Sequence, residues 1–182
     1  MKISTAIVCG LMFTASFCII GSNYDLLPAQ LPVLRKPFAG IVMVAPKSAF
    51  TAFRVPLMNL AHGLMAAVML SRAADFKDEE PRASYVAFFS TLLVAIAMKS
   101  DFEALEFSAM VSPRIGRLRD WLTAGTVLSV VGGVVLAFLR ARKARIPWAA
   151  LQLSTRDKAI LISLFAAYLT MVAASLLVSN QA

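Results

Sequence analysis

The chain alternates long apolar segments with short charged ones. Segments of 16 to 22 residues that contain no Asp, Glu, Lys or Arg occur at 3–24, 55–71, 83–98, 121–139 and 159–180. Because about 20 helical residues cross the roughly 30 Å of hydrocarbon in a bilayer, each segment is a candidate transmembrane helix. The pattern predicts an all-α membrane protein, a compact bundle of about five transmembrane helices that forms a single integral membrane domain over 1–182.

The first apolar segment has an alternative interpretation as a cleaved signal peptide, which would leave four spans. A signal peptide needs a small-x-small cleavage site. Ala15-Ser16-Phe17-Cys18 resembles a lipoprotein box, but the bulky Phe17 stands where a small residue is required. We therefore expect the first span to be retained.

Composition supports the membrane class. Hydrophobic residues make up 59% of the chain and charged residues 15%, with a mean hydropathy of +0.76, whereas a soluble domain has about 25% charged residues. The net charge of +8 does not indicate nucleic acid as a partner, because the basic residues flank apolar spans and form no stripe interleaved with aromatic residues. We expect membrane lipids as partners, with anionic headgroups at one basic cluster: Arg140, Arg142, Lys143 and Arg145.

The distribution of Lys and Arg predicts an orientation, because basic loops tend to stay in the cytoplasm. With five crossings, the face that includes the N-terminus carries ten basic residues and the opposite face eight. The eight include Lys99, taken as the residue that ends the third span. The count predicts a cytoplasmic N-terminus, and it places the loop 25–47 outside.

That outer loop holds four of the eight prolines in the chain. Proline fixes the backbone φ angle and removes an amide donor, so the loop is expected to be extended or turning rather than helical. The apolar run at 39–45 is expected to lie against the membrane surface or other helices.

Small residues recur at a spacing of four in three of the predicted spans. This spacing lets helices approach closely in lipid. We expect the ridges to face the interior of the bundle or another protein, and they comprise Ala6, Gly10 and Thr14; Gly125, Ser129 and Gly133; and Ala166, Thr170 and Ala174.

The second span contains polar groups, which are costly within a bilayer and often functional. Asn59 and the single histidine, His62, are three residues apart and share a helix face. Arg54 lies about two turns before His62, near the expected boundary. One hypothesis makes His62 a proton-responsive group or a ligand contact that Asn59 orients. The other is a structural hydrogen bond between helices.

Catalytic and metal-binding motifs are not apparent. The chain has no H-E-x-x-H, C-x-x-C, P-loop or G-x-S-x-G sequence, and one histidine cannot provide bis-histidine haem ligation. After Lys99 the segment 100–110 has few helix breakers, so the third helix is expected to continue out of the bilayer until Pro113. Asp101, Glu103 and Glu106 lie in this segment and are expected to form a solvated acidic patch. The sequence therefore assigns no enzyme activity, no cofactor and no metal.

The first loop resembles a known family. It reads Leu-Pro-Ala-Gln-Leu-Pro-Val from Leu27, and it resembles the DUF1648 domain of bacterial membrane proteins, the family that includes the SdpI-like immunity proteins. The matching positions are Leu27, Pro28, Leu31, Pro32, Gly40 and Lys47. The chain departs from the family at 34–36, where Leu-Arg-Lys replaces a His-x-Asn-like element. The resemblance covers about a third of the chain and implies a bacterial inner-membrane protein without enzyme activity.

Two functions follow as hypotheses. The first is a non-enzymatic membrane protein that acts through protein contacts, as an accessory subunit or an immunity or sensor component, with another membrane protein or a second copy as partner. The alternative is a small-solute or ion carrier with Asn59 and His62 in its pathway.

Overall fold

The protein is an all-α bundle that contains five helices long and apolar enough to cross a membrane. In a computed structural model, the structure describes residues 3–36, 40–112, 117–141 and 153–179. The predicted fold class is confirmed, and the chain is an integral membrane protein. The helices are α1 (Ile3–Asn23), α2 (Ala49–Ser71), α3 (Glu79–Ser108), α4 (Arg119–Ala141) and α5 (Thr155–Ser179).

The third helix continues beyond its apolar segment, as expected from the lack of helix breakers after Lys99. The apolar segment ends at residue 98, and α3 continues through Lys99 to Ser108. Nothing between these residues is proline or glycine, and the charged groups in this part find partners inside the bundle. The helix therefore has no reason to stop at its first charge.

Helix α3 is the element around which the others pack, since α1, α2 and α4 all contact it. The α1 face that packs inward carries Cys9, Phe13, Ser16 and Ile20, all buried. Cys9 is buried and Cys18 exposed, because nine helical steps place the two cysteines on opposite faces of α1. Helix α5 contacts α2 and the extended loop between α1 and α2.

The loop between α1 and α2 is a β-hairpin preceded by a short 3₁₀ turn at Tyr24–Leu26. Its strands β1 (Gln30–Lys36) and β2 (Gly40–Pro46) pair antiparallel, with Leu31 opposite Ala45. Both of these residues are fully buried. The loop is extended, as its prolines predicted, and its Leu31 belongs to a buried cluster with Ile20 of α1 and Ala104 of α3.

Polar contacts close the base of the hairpin and cap the helix that follows it. The Lys47 ammonium donates to the carbonyls of Asp25 and Leu27, at 3.3 and 3.0 Å. Ser48 caps α2: its hydroxyl accepts from the Thr51 amide, while the Ser48 amide donates to the Thr51 hydroxyl. This reciprocal box satisfies amide groups that would otherwise be unpaired at the start of the helix.

Close packing between α3 and α4 depends on glycine. A Cβ atom at Gly133 would overlap the Cβ of Ala95, and one at Gly125 would lie 2.6 Å from the Phe102 ring. Gly132 differs from its neighbour, because a Cβ there would meet nothing within 4 Å. The small-residue ridge predicted in this span therefore forms a helix interface within the chain.

The two adjacent glycines provide a matched test of this interface. We expect Gly133→Leu to lower the free energy of unfolding by about 1–3 kcal/mol, because the new side chain overpacks the contact with α3. Gly132→Leu should leave stability nearly unchanged. Thermal unfolding of the two purified variants measures the difference, and equal stabilities would contradict the assignment of Gly133 to the interface.

Candidate functional site

The helices share a register that defines the depth of each residue. Ser16 donates to Asp101, and Asn23 donates to Ser108, so α1 and α3 run in parallel with an offset of 85 residues. The same offset puts Ile3 level with Phe88. Between Phe88 and Ser108 the helix rises about 30 Å, which is the thickness of the hydrocarbon layer. Lys99 is about 16 Å from Phe88 along this axis and therefore lies level with Thr14, near the middle of α1.

A polar cluster surrounds Lys99 at this depth. The Lys99 ammonium donates to Glu103 Oε2 at 2.6 Å and to Asn59 Oδ1 at 2.8 Å. The amide of Asn59 in turn donates to Glu103 Oε2 at 2.7 Å. Asn59 is buried, and the two charged side chains are about a quarter exposed. Each group of the triad thus bonds to both of the others, which compensates for the loss of water around the charges.

The triad lines a cavity of about 540 Å³, a volume typical of small-molecule sites. Its polar lining comes mainly from α2 and α3. The charged and polar lining residues are Arg54, Asn59, His62, Lys99, Glu103, Glu106 and Tyr168. The rest of the lining is apolar, and α4 contributes only Val130 and Val134.

The structure brings the three predicted polar residues of α2 to the same cavity. Arg54 is buried, and its guanidinium donates to the Pro32 carbonyl of β1 at 2.9 Å. His62 lies against the Tyr168 ring of α5, with the ring centroids 4.5 Å apart. The side-chain amide of Asn59 bonds to Lys99 and Glu103. It therefore orients side chains of α3, whereas the hypothesis from the sequence had it orient His62.

The expected solvated acidic patch beyond the third span is wrong. Glu103 belongs to the triad, and Asp101 accepts from Ser16 on the opposite side of α3 at 2.7 Å. Glu106 is buried and accepts from Thr126 of α4 at 3.5 Å. At helical spacing the three carboxylates face α2, α1 and α4 respectively. They hold separate helices to α3 instead of forming one exposed face.

The predicted packing residues divide into two groups. Gly125, Ser129 and Gly133 lie at the interface between α3 and α4, while Gly10 and Thr14 of α1 are exposed and Ala6 is half-buried. In α5, Ala166 and Thr170 are also exposed. The pairing of these outward ridges with another protein stays a prediction.

The predicted lipid-contacting cluster is described only in part. Arg140 is exposed at the end of α4, and its guanidinium donates to the Thr91 hydroxyl of α3 at 3.2 Å. Its three companions in the prediction lie outside the described residues: Arg142, Lys143 and Arg145. A role in lipid binding stays a prediction for all four.

The site has the groups to hold a polar molecule but not the ligand set of a metal. Within residues 3–36, 40–112, 117–141 and 153–179, no three His, Cys, Asp or Glu side chains come close enough to bind one ion together. The cavity instead combines charged hydrogen-bond donors and acceptors with apolar groups.

Sequence reasoning missed Lys99 and Glu103 as members of the site. A signal for them exists in the spacing, because a lysine and a glutamate four residues apart on a helix can neutralise each other. The pair of Lys99 and Glu103 was missed because every charged residue was treated as the end of a span.

Comparisons with known proteins do not identify a relative. No family model matches the chain, and neither the curated proteins nor the solved structures include one with significant similarity. The resemblance of the first loop to the DUF1648 domain therefore stays a prediction.

The triad can be tested by removing one charge. We expect Lys99→Met to destabilise the protein by about 2 kcal/mol, because it leaves the Glu103 carboxylate without its cation in an apolar layer. Adding Glu103→Met should restore part of that stability. Thermal unfolding in detergent measures both variants. A double variant less stable than Lys99→Met would contradict charge pairing as the main role of Lys99.

Proposed function

We propose that this protein binds a small solute in the cavity between its helices and acts as a small-solute carrier. The observation that carries the proposal is the polar triad of Asn59, Lys99 and Glu103, which lines a cavity at mid-depth of the apolar layer. Ionisable residues at such depth are rare and usually belong to substrate or ion pathways. Asn59 and His62 lie in the pathway of this solute, and no covalent chemistry is required of them.

A cytoplasmic N-terminus is part of the proposal. Its support is the basic-residue count, which changes once Lys99 is assigned to the interior of the layer and removed from the outer face. The remaining count is ten basic residues against seven, which favours the same orientation more strongly. The hairpin then lies outside, and the bacterial inner membrane is the location that the resemblance of its sequence implies.

Cysteine labelling tests whether water and solute reach the cavity. In a Cys9→Ala/Cys18→Ala background, Met58→Cys introduces a thiol at the cavity lining. Leu57→Cys is the matched control, because the adjacent side chain is exposed on the outer surface of the same helix at the same depth. We expect a charged, water-soluble methanethiosulfonate reagent to label the first variant and not the second, since a thiol surrounded by lipid does not ionise.

The side from which labelling occurs distinguishes a carrier from a one-sided binding protein. We expect Met58→Cys to react with reagent added to either face of sealed vesicles, as alternating access requires. Reaction from one face alone would count against a carrier and favour a sensor. If neither face gives labelling, solute binding in the cavity is ruled out.

A second candidate function is an accessory, immunity or sensor component that acts through protein contacts. The observation that favours it is the α1 ridge of Ala6, Gly10 and Thr14, which is largely exposed. A Cβ at Gly10 would meet nothing within 4 Å in the described part of the chain. Such a surface permits close approach by a helix of another membrane protein or a second copy.

Substitution of the exposed glycines tests this second function. We expect Gly10→Leu to abolish a complex with another polypeptide while leaving thermal stability unchanged, because the side chain fills only the intermolecular contact. Gly132→Leu is the control, since it also has open space but lies on α4. Native mass spectrometry of protein extracted gently from its own membranes measures the complex. Detection of only the 19.6 kDa chain in the unsubstituted protein would reject this candidate.

A further inference from the structure

The cavity combines polar and apolar lining groups, which restricts the chemistry of its ligand. Helices α2 and α3 supply six charged or polar groups together with apolar ones such as Met58, Ile96 and Phe107, whereas the lining residues of α4 are two valines. A wholly polar molecule would leave its far side without hydrogen bonds against Val130 and Val134, at an energetic cost. A wholly apolar molecule would cover the polar groups without bonding to them. A molecule with one polar end and one apolar body satisfies both sides.

The charges of the lining are balanced. Among the described lining residues, Arg54 and Lys99 are cationic, and Glu103 and Glu106 are anionic. Arg54 donates to the Pro32 carbonyl, and Lys99 to Glu103 and Asn59. A ligand with a net charge would bring an uncompensated charge into a low-dielectric layer, which is strongly unfavourable. A ligand without net charge keeps the balance.

Resting on the proposed solute binding, we infer that the ligand is an amphipathic molecule whose polar head carries no net charge, either zwitterionic or uncharged. Its head lies beside the triad of Asn59, Lys99 and Glu103, and its apolar body lies along Val130 and Val134. The selectivity arises from the equal number of cationic and anionic groups around the head. Removing one charge from the cavity should therefore change which head is preferred.

The test uses probes that share a ten-carbon chain and differ in the charge of the head. They are decanol, decyldimethylglycine, decanoate and decyltrimethylammonium, compared at equal membrane concentrations. The full-length Met58→Cys protein in vesicles reports binding, because an occupied cavity slows thiol labelling. We expect decanol and the zwitterion to protect the thiol at concentrations at least about tenfold lower than the two charged probes, a difference of about 1.4 kcal/mol.

Charge variants give the sharper prediction. Glu103→Gln leaves one excess cation in the cavity, so decanoate should become a protecting probe. Lys99→Gln leaves one excess anion, so decyltrimethylammonium should become a protecting probe. The double variant restores the balance, and it should return to the preference of the unsubstituted cavity even if either single variant folds poorly.

Asp101→Asn is the matched control. It removes a carboxylate from the same helix, but Asp101 bonds to Ser16 of α1 and does not line the cavity. The Asp101→Asn variant should show the same preference among the probes as the protein without this substitution.

The possible outcomes separate the inference from the proposed function. If Met58→Cys is labelled but a charged probe protects the unsubstituted cavity best, or no probe protects it, the inference on the ligand is wrong and solute binding stands. The inference is also overturned if the single charge variants keep the original preference, or if Asp101→Asn changes it in the same way as they do. Absence of any labelling without probes rejects solute binding itself.

Discussion

A lysine in the middle of an apolar layer has to be neutralised by its surroundings, and the arrangement of this bundle follows from that requirement. Lys99 finds its counter-charge one helical turn away in Glu103, and both bond to Asn59 of α2. This pairing lets α3 continue through the layer with its charges inside. It also joins α2 to α3 by polar contacts where packing of apolar side chains provides little specificity.

The same principle operates on the other sides of α3. Asp101 bonds to Ser16 of α1, and Glu106 accepts from Thr126 of α4. Three carboxylates within a short segment thus contact three neighbouring helices. The glycine contacts with α4 then set the distance, because Gly133 allows Ala95 to approach more closely than any side chain would permit. Hydrogen bonds determine which face of α3 each helix contacts, and small residues determine how closely α4 approaches it.

Much of the fold could be predicted from the sequence, because uninterrupted apolar length determines which segments cross a bilayer. The five helices were predicted on that basis, the extended loop 25–47 from its prolines, and the α4 ridge at Gly133 from the spacing of its small residues. The place of Lys99 inside the bundle was not predicted, because a charge has the same appearance in a sequence whether it faces water or a partner. The face of α1 that packs inward was also missed, since the small residues that suggested a packing ridge lie largely on its exposed side.

The candidate site was only half accessible to sequence reasoning. Polar residues within the second span drew attention to Asn59, His62 and Arg54, and all three line the cavity. Their partners on α3, Lys99 and Glu103, depend on how α2 and α3 are aligned. That alignment cannot be derived from a single sequence. The contact between His62 and Tyr168 likewise joins residues from distant parts of the chain.

The position of α5 has a consequence for how the cavity communicates with its surroundings. This helix packs on α2 and the hairpin, held by an ion pair between Arg72 and Asp157 and by the contact of Tyr168 with His62, and most of its surface is exposed. Within the described residues, its main contacts are with α2 and the hairpin rather than with α4. If the cavity binds a solute as proposed, a molecule dissolved in the bilayer would have a lateral route to the triad between α4 and α5, without first passing through water.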